Sequence, residues 1–183
     1  MCITESSKNR VAFTRQEPVG VVVAVSAFNH PLNLIAHQVA PAVATGCPVI
    51  VKPADKTALS CLHFVQILHE AGLPPEWCQA VVTADRKDAT AMVTDSRVGF
   101  FSFIGSAKVG WALRSQLAPG TRCALEHGGA APVILTEGAD LDRAVPSLAK
   151  GGFYHAGQVC VSVQRVFAPK SMAADFARRL AEA

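Results

Sequence analysis

A doubly wound α/β domain with a parallel sheet is predicted from two features of the 183-residue chain. Short apolar, β-branched runs alternate with segments of helical periodicity, which is the grammar of βαβ units. The first such run, residues 19–25 (Val-Gly-Val-Val-Val-Ala-Val), is apolar without alternation, as a strand buried on both faces should be. Composition agrees: hydrophobic residues make up 50% and charged residues 17%, enough apolar material for a sizeable core and too little charge for disorder.

The elements follow in order. After the first strand, Asn29 and Pro31 sit where a helix starts, as cap and first-turn residue. Leu32, Ile35, Ala36, Val39 and Val43 then repeat at helical spacing, Pro41 is expected to kink the last turns, and Gly46 stops them. Val49-Ile50-Val51 predicts a second strand ending at Lys52-Pro53, and a helix from Leu59 to Ala71 ends at Gly72 and Pro74-Pro75. Residues 80–82 read as a third strand, 86–94 as a helix, 98–103 as a fourth strand, 106–117 as a helix and 122–125 as a fifth strand. Beyond Glu126 the pattern changes. A Gly128-Gly129 turn precedes a strand at 132–135, a helix at 140–154, a cysteine-bearing loop, a strand at 165–168 and a helix at 173–181. The expected organisation is an N-terminal remnant (1–18), a doubly wound α/β domain (19–126) and the opening part of a second α/β domain (127–183).

Several function classes are excluded early. The net charge of +3 carries no run of Lys or Arg, so neither nucleic acid nor a membrane surface is an expected partner. No apolar stretch approaches the roughly 18 residues that span a bilayer. The polar first ten residues are no secretory signal. Six cysteines (Cys2, Cys47, Cys61, Cys78, Cys123, Cys160) are scattered without CxxC or Cys/His zinc spacing, so no metal site is expected and a reducing cytoplasm is the simplest setting.

Ligands of doubly wound sheets bind beyond the carboxyl ends of the strands. Asn29, Lys52, Gly105-Ser106 and Glu126 each follow a predicted strand. Asn29 serves either as a helix cap or as an amide donor to a developing oxyanion. Lys52 is either a solvated strand-end lysine or a cation for a ribose hydroxyl or phosphate, and Asp55 either a loop acid or an acceptor for a ribose diol. The segment from Gly105 to Gly110 is either a tight helix start or a pyrophosphate seat on free N–H groups. Glu126 is a surface acid or a general base for water, while His127 and Gly128-Gly129 read as turn and packing residues. Cys160 is one buried-looking cysteine or a nucleophile.

Taken together these segments resemble the NAD(P)-dependent aldehyde dehydrogenase superfamily from about Glu17 to Ala168. The resemblance rests on Phe28-Asn29-His30-Pro31-Leu32-Asn33-Leu34, Val51-Lys52-Pro53-Ala54-Asp55-Lys56-Thr57, Phe103-Ile104-Gly105-Ser106, Leu125-Glu126-His127-Gly128-Gly129 and Gly157-Gln158-Val159-Cys160. It implies a Rossmann-like cofactor domain followed by a catalytic domain. It also implies Cys160 as nucleophile, Glu126 as base and Asn29 as oxyanion donor, with Phe28, Lys52, Asp55, Gly105, Ser106 and Val109 at the cofactor. The substrate implied is a small aldehyde, oxidised to an acid through a thiohemiacetal and a thioester. An acid at Asp55 repels a 2′-phosphate, which favours NAD, while the neighbouring Lys56 leaves NADP open. His127, in extended backbone, is expected to point away from Glu126. A nucleotide-binding module without chemistry and a coenzyme A-acylating dehydrogenase are the alternatives; relatives of the latter kind generally lack the glutamate. The resemblance further implies homo-oligomeric relatives longer at both ends, and hence exposed apolar surface and little turnover in this chain.

Overall fold

The structure, a computed structural model, describes residues 4–183; Cys2 lies outside the described residues. Its centre is a five-stranded parallel sheet in the order β3-β2-β1-β4-β5. The strands are β1 (Val21–Val25), β2 (Val49–Lys52), β3 (Cys78–Ala80), β4 (Val98–Ile104) and β5 (Arg122–Glu126). The connecting helices are α1 (Pro31–Ala44), α2 (Ala58–Glu70), α3 (Arg86–Thr94) and α4 (Ala107–Arg114).

The period of two in β1 explains both layers. Val22 and Ala24 face α1 and α2, in a core with Ile35, Val39, Val49, Val51, Cys61, Val65 and Cys78. Val23 faces the other way, into a core with Val93, Val98, Phe101 and Phe103. A strand whose alternate residues enter two cores has no polar face, hence the uninterrupted apolar run. Strand order reverses between β1 and β4, so the loops after these two strands diverge and leave a crevice between them.

Most predicted elements fall within two residues of the observed ones. The third strand is Cys78–Ala80 rather than 80–82, because Cys78 is the residue that pairs with Val49 and fills the core. Asn29 is not the cap of α1. His30 occupies that position without a capping side-chain bond, and the Asn29 amide is engaged elsewhere. Helix α1 continues through Pro41 to Ala44, where Thr45 Oγ1 donates to the carbonyls of Pro41 (2.8 Å) and Ala42 (3.0 Å).

After β5 the chain forms a separate two-stranded parallel sheet, β6 (Val133–Ile134) and β7 (Val166–Phe167), covered by α5 (Leu141–Phe153) and α6 (Ala173–Glu182). Its core is its own: Leu135, Val145, Leu148 and Phe176. Asp140 caps α5 by accepting from Asp142 N (3.0 Å) and Arg143 N (3.4 Å). Ile134, Phe153, Val161 and Phe167 lie exposed here.

Candidate active site

The carboxyl end of the sheet builds the site from three loops. The first follows β1. Gln38, buried on α1, donates through Nε2 to the carbonyls of Val25 and Ser102 (3.2 Å each) and to Ser102 Oγ (3.0 Å). One amide thereby ties α1 to the ends of both strands that border the crevice. Phe28 and Asn29 project from that anchored loop, and Asn29 Nδ2 donates to the carbonyl of Gln158 at 2.9 Å, across 129 residues of sequence.

The second loop joins β4 to α4 and is locked to β5 by Gly105 N–H donating to the carbonyl of Glu126 (3.0 Å). Helix α4 starts at Ala107, so its first N–H groups have no carbonyl four residues earlier in the helix. The two glycines of this turn serve packing as much as any phosphate. A Cβ on Gly105 would lie 2.7 Å from Phe103 Cζ, and one on Gly110 would overlap the imidazole of His127. The His127 ring is wedged edge-on between Phe103 (6.0 Å) and Trp111 (5.4 Å), with Nε2 shielded from solvent and unpaired among the described residues. At the end of β5 Glu126 is open, whereas the next residue, His127, is half-buried.

The third loop carries the cysteine. After α5 the backbone enters the left-handed region at three consecutive residues: His155 (φ 53°), Ala156 (φ 55°) and Gly157 (φ 72°). Only the glycine does so freely; an L-residue held there costs roughly 1–2 kcal/mol. This turn reverses the chain, which is then pinned by Gln158 N–H to His155 O (3.1 Å), Val163 N–H to Gly151 O (3.0 Å) and Gln164 N–H to Ala130 O (3.0 Å). Gln164 Nε2 also donates to the carbonyl of Gly129 at 3.0 Å. The Gly128-Gly129 segment, which forms no regular turn, and the cysteine loop are thus stitched together. The N–H of Cys160 itself has no acceptor among the described residues.

These loops enclose a cavity of about 350 Å³. Phe28, Asn29, Gly105, Ser106, Glu126 and Cys160 all line it, together with His127, Gln158 and Gln164. Lys52, Asp55 and Val109 do not. Lys52, at the end of β2, is mostly buried and its Nζ contacts Asp55 Oδ1 (2.9 Å) and the carbonyl of Pro53 (3.2 Å). It is therefore no freely solvated lysine, and Asp55 already has a cationic partner. A larger recess of about 630 Å³ beside β3, lined by Leu62, Val65, His69 and Cys78 among others, holds none of the motif residues. Burial pushes the Cys61 and Cys78 thiols up to about 11, with the proximity of Cys78 adding to the effect on Cys61. Neither is a thiolate at neutral pH. Cys160, partly exposed in the cavity, is differently placed.

Sequence reasoning missed Gln38, Gln158 and Gln164. Gln38 had a signal, being a polar residue on the apolar face that carries Ile35, Val39 and Ala42. Gln158 contributes through its carbonyl, which no side-chain pattern reveals.

The sheet is of the doubly wound α/β class, and a cysteine, a carboxylate and an amide border one cavity at its switch point, where sheets of this class bind ligands. The chain belongs to the aldehyde dehydrogenase family, whose sequence profile matches residues 2–183. It is 40% identical over 174 residues to a lactaldehyde dehydrogenase of Methanocaldococcus jannaschii, covering 93% of this chain and 37% of that protein. The crystal structure of a glyceraldehyde-3-phosphate dehydrogenase from the same organism, complexed with NADP, superposes with a TM-score of 0.86 at 38% identity, covering 92% of this chain and 38% of the other. A mutant of aldehyde dehydrogenase C from Pseudomonas syringae, complexed with NAD+ and octanal, gives a TM-score of 0.86 at 34% identity, over 91% of this chain and 34% of the other. The chain spans little more than a third of the length of these relatives.

Proposed function

We propose that the site serves NAD(P)-dependent oxidation of a small aldehyde to a carboxylic acid, with Cys160 as nucleophile. The single observation that carries this reading is the shared cavity of Asn29, Gly105-Ser106, Glu126 and Cys160. Cys160 Sγ, as thiolate, attacks the carbonyl carbon and forms a thiohemiacetal. Its oxyanion is held by the Asn29 amide and the unpaired N–H of Cys160. Removing one such donor typically costs ~10²–10³ in rate. Asn29 Nδ2 has two hydrogens; one goes to Gln158 O and fixes the amide, which leaves the other for the oxyanion. A bound nicotinamide dinucleotide would supply the hydride acceptor that converts the thiohemiacetal into a thioester. Glu126 then takes a proton from water, which attacks the thioester and releases the acid and the Cys160 thiolate. The presence of Glu126 in the cavity favours water over coenzyme A as acceptor.

The residues present suit such a dinucleotide. The start of α4 offers N–H groups to a pyrophosphate behind the small pair Gly105-Ser106, with Val109 on the first turn, while Phe28 borders the crevice. Lys52 and Asp55 present a paired cation and acid to the ribose. Asp55 opposes a 2′-phosphate, but its pairing with Lys52 and the adjacent Lys56 temper that opposition, so NAD is the preferred cofactor and NADP is accepted. The same reading divides the chain near Glu126, supported by two sheets with separate cores. A cytoplasmic setting is supported by five free cysteines among the described residues. Homo-oligomers are proposed by analogy with the family.

Calorimetric titration with NAD+ and NADP+, followed by mass spectrometry after adding an aldehyde and nucleotide, tests this reading. The expected results are nucleotide binding and an adduct on the Cys160 peptide. Cys160→Ala should lose the adduct and keep the binding. An adduct persisting in Cys160→Ala would remove Cys160 as nucleophile, and absence of nucleotide binding in the unaltered protein would remove the cofactor assignment.

A further inference from the structure

Two imidazoles meet at the junction of the asparagine and cysteine loops. His30 immediately follows Asn29, and His155 lies five residues before Cys160. Their rings stack at 4.7 Å between centroids with an interplanar angle of 23°. Tyr154 extends the stack, its ring 6.3 Å from that of His30 at 16° and 6.1 Å from that of His155. His30, at the N-cap position of α1, makes no capping bond, and its ring stacks on the cysteine loop instead. The partner, His155, belongs to the strained left-handed turn that aims Cys160. Strained backbone persists only where its surroundings over-determine it. Two long-range contacts from the asparagine loop meet this requirement: the Asn29 bond to Gln158 O on one side of Gly157, and the His30–His155 stack on the other.

We propose that His30 and His155 are positioning residues that form a ring clasp, holding the cysteine loop in its left-handed turn and thereby keeping the Cys160 thiol beside the Asn29 amide. His30 also borders the cavity, whereas His155 does not line it; the clasp acts through the backbone between His155 and Cys160. The proposal deepens the assignment of Cys160 as nucleophile and rests on it for its catalytic meaning, but the clasp is a physical claim that can be read without turnover. Offset aromatic stacks contribute beyond their buried area, and a stack between distant loops restrains both.

The test is the rate at which iodoacetamide alkylates Cys160, followed peptide by peptide by mass spectrometry on the purified chain, with Cys123 as internal reference. Neither nucleotide nor aldehyde is needed, so a failure of the dehydrogenase reading would not disturb it. His30→Ala removes one ring at an unstrained backbone position (φ −131°). His155→Asn removes the other while keeping a residue type that tolerates the left-handed region. Each is expected to raise the Cys160 rate at least threefold relative to Cys123, and the double variant to raise it no further. His30→Phe, which still stacks, should hold the original rate. Circular dichroism of each variant establishes that it is folded under the assay conditions. Rates for both single variants that are unchanged or lowered overturn the clasp; so does an additive double variant, or a His30→Phe rate as high as that of His30→Ala.

Discussion

Cysteine shows most plainly how position decides chemistry in this chain. Cys61 and Cys78 are fully buried, and loss of hydration raises both thiols from 9.0 to about 11. Because the folded state holds these protons more tightly than the unfolded state, their contribution to stability is complete below about pH 9. It is lost as pH rises through about 11, where the unfolded chain has already released them. Thermal melts should therefore show a midpoint that falls between these values, and Cys61→Ala/Cys78→Ala should flatten that dependence although it lowers the plateau; an equally steep fall in the double variant would assign it to other groups. Among the candidate site residues, Asn29, Glu126 and Cys160, which border one cavity, stand out in the sequence by residue type and place after a strand or turn. The Gln158 carbonyl, the His127 wedge over Gly110 and the His30–His155 stack were not. Each depends on which side chain arrives opposite, and that is a property of two distant segments.

At the scale of elements, strands and helices follow from local pattern, while their ends follow from contacts. The run at β1 announces a doubly buried strand, yet β3 begins at Cys78 because pairing with β2 and burial select that register over the apolar Val81 and Val82. Caps behave likewise. Asp140 accepts from two N–H groups at the start of α5, and Asp85 accepts from Lys87 N (2.9 Å) at the start of α3, whereas Asn29 gives up capping for a long-range bond. Asp140→Ala should cost about 1 kcal/mol, the usual value of such a cap, and lower the melting midpoint by about 2–4 °C for a domain of this size. A loss within error of zero would show that packing of Val145 and Leu148 alone holds the helix start. The ion pairs of α6 with Asp142 and Asp175 lie on the surface and contribute little individually.

For the molecule as a whole, two sheets with separate cores meet where the cysteine loop crosses the carboxyl end of the larger sheet. Truncating a buried phenylalanine typically costs 3–5 kcal/mol and a buried leucine 2–5. Phe101→Ala should deprotect amides of β1 and β4 in hydrogen exchange, and Leu148→Ala those of α5 and α6, each leaving the other region slower to exchange. Uniform deprotection by both would mean one cooperative unit and would reject a boundary near Glu126. The order of strands and helices, the parallel sheet and the candidate residues at strand ends are legible in sequence because they rest on local periodicity and on residue types at those ends, and the family is legible because five ordered motifs resemble it. The tertiary structure alone decided that Lys52 is spent on Asp55, that Gly110 makes room for His127, and that Asn29 grips the loop of Cys160. The last two outcomes depend on distances between groups far apart in the chain, set by packing around the shared sheet, and the first on the short turn after β2 that brings Asp55 back to Lys52.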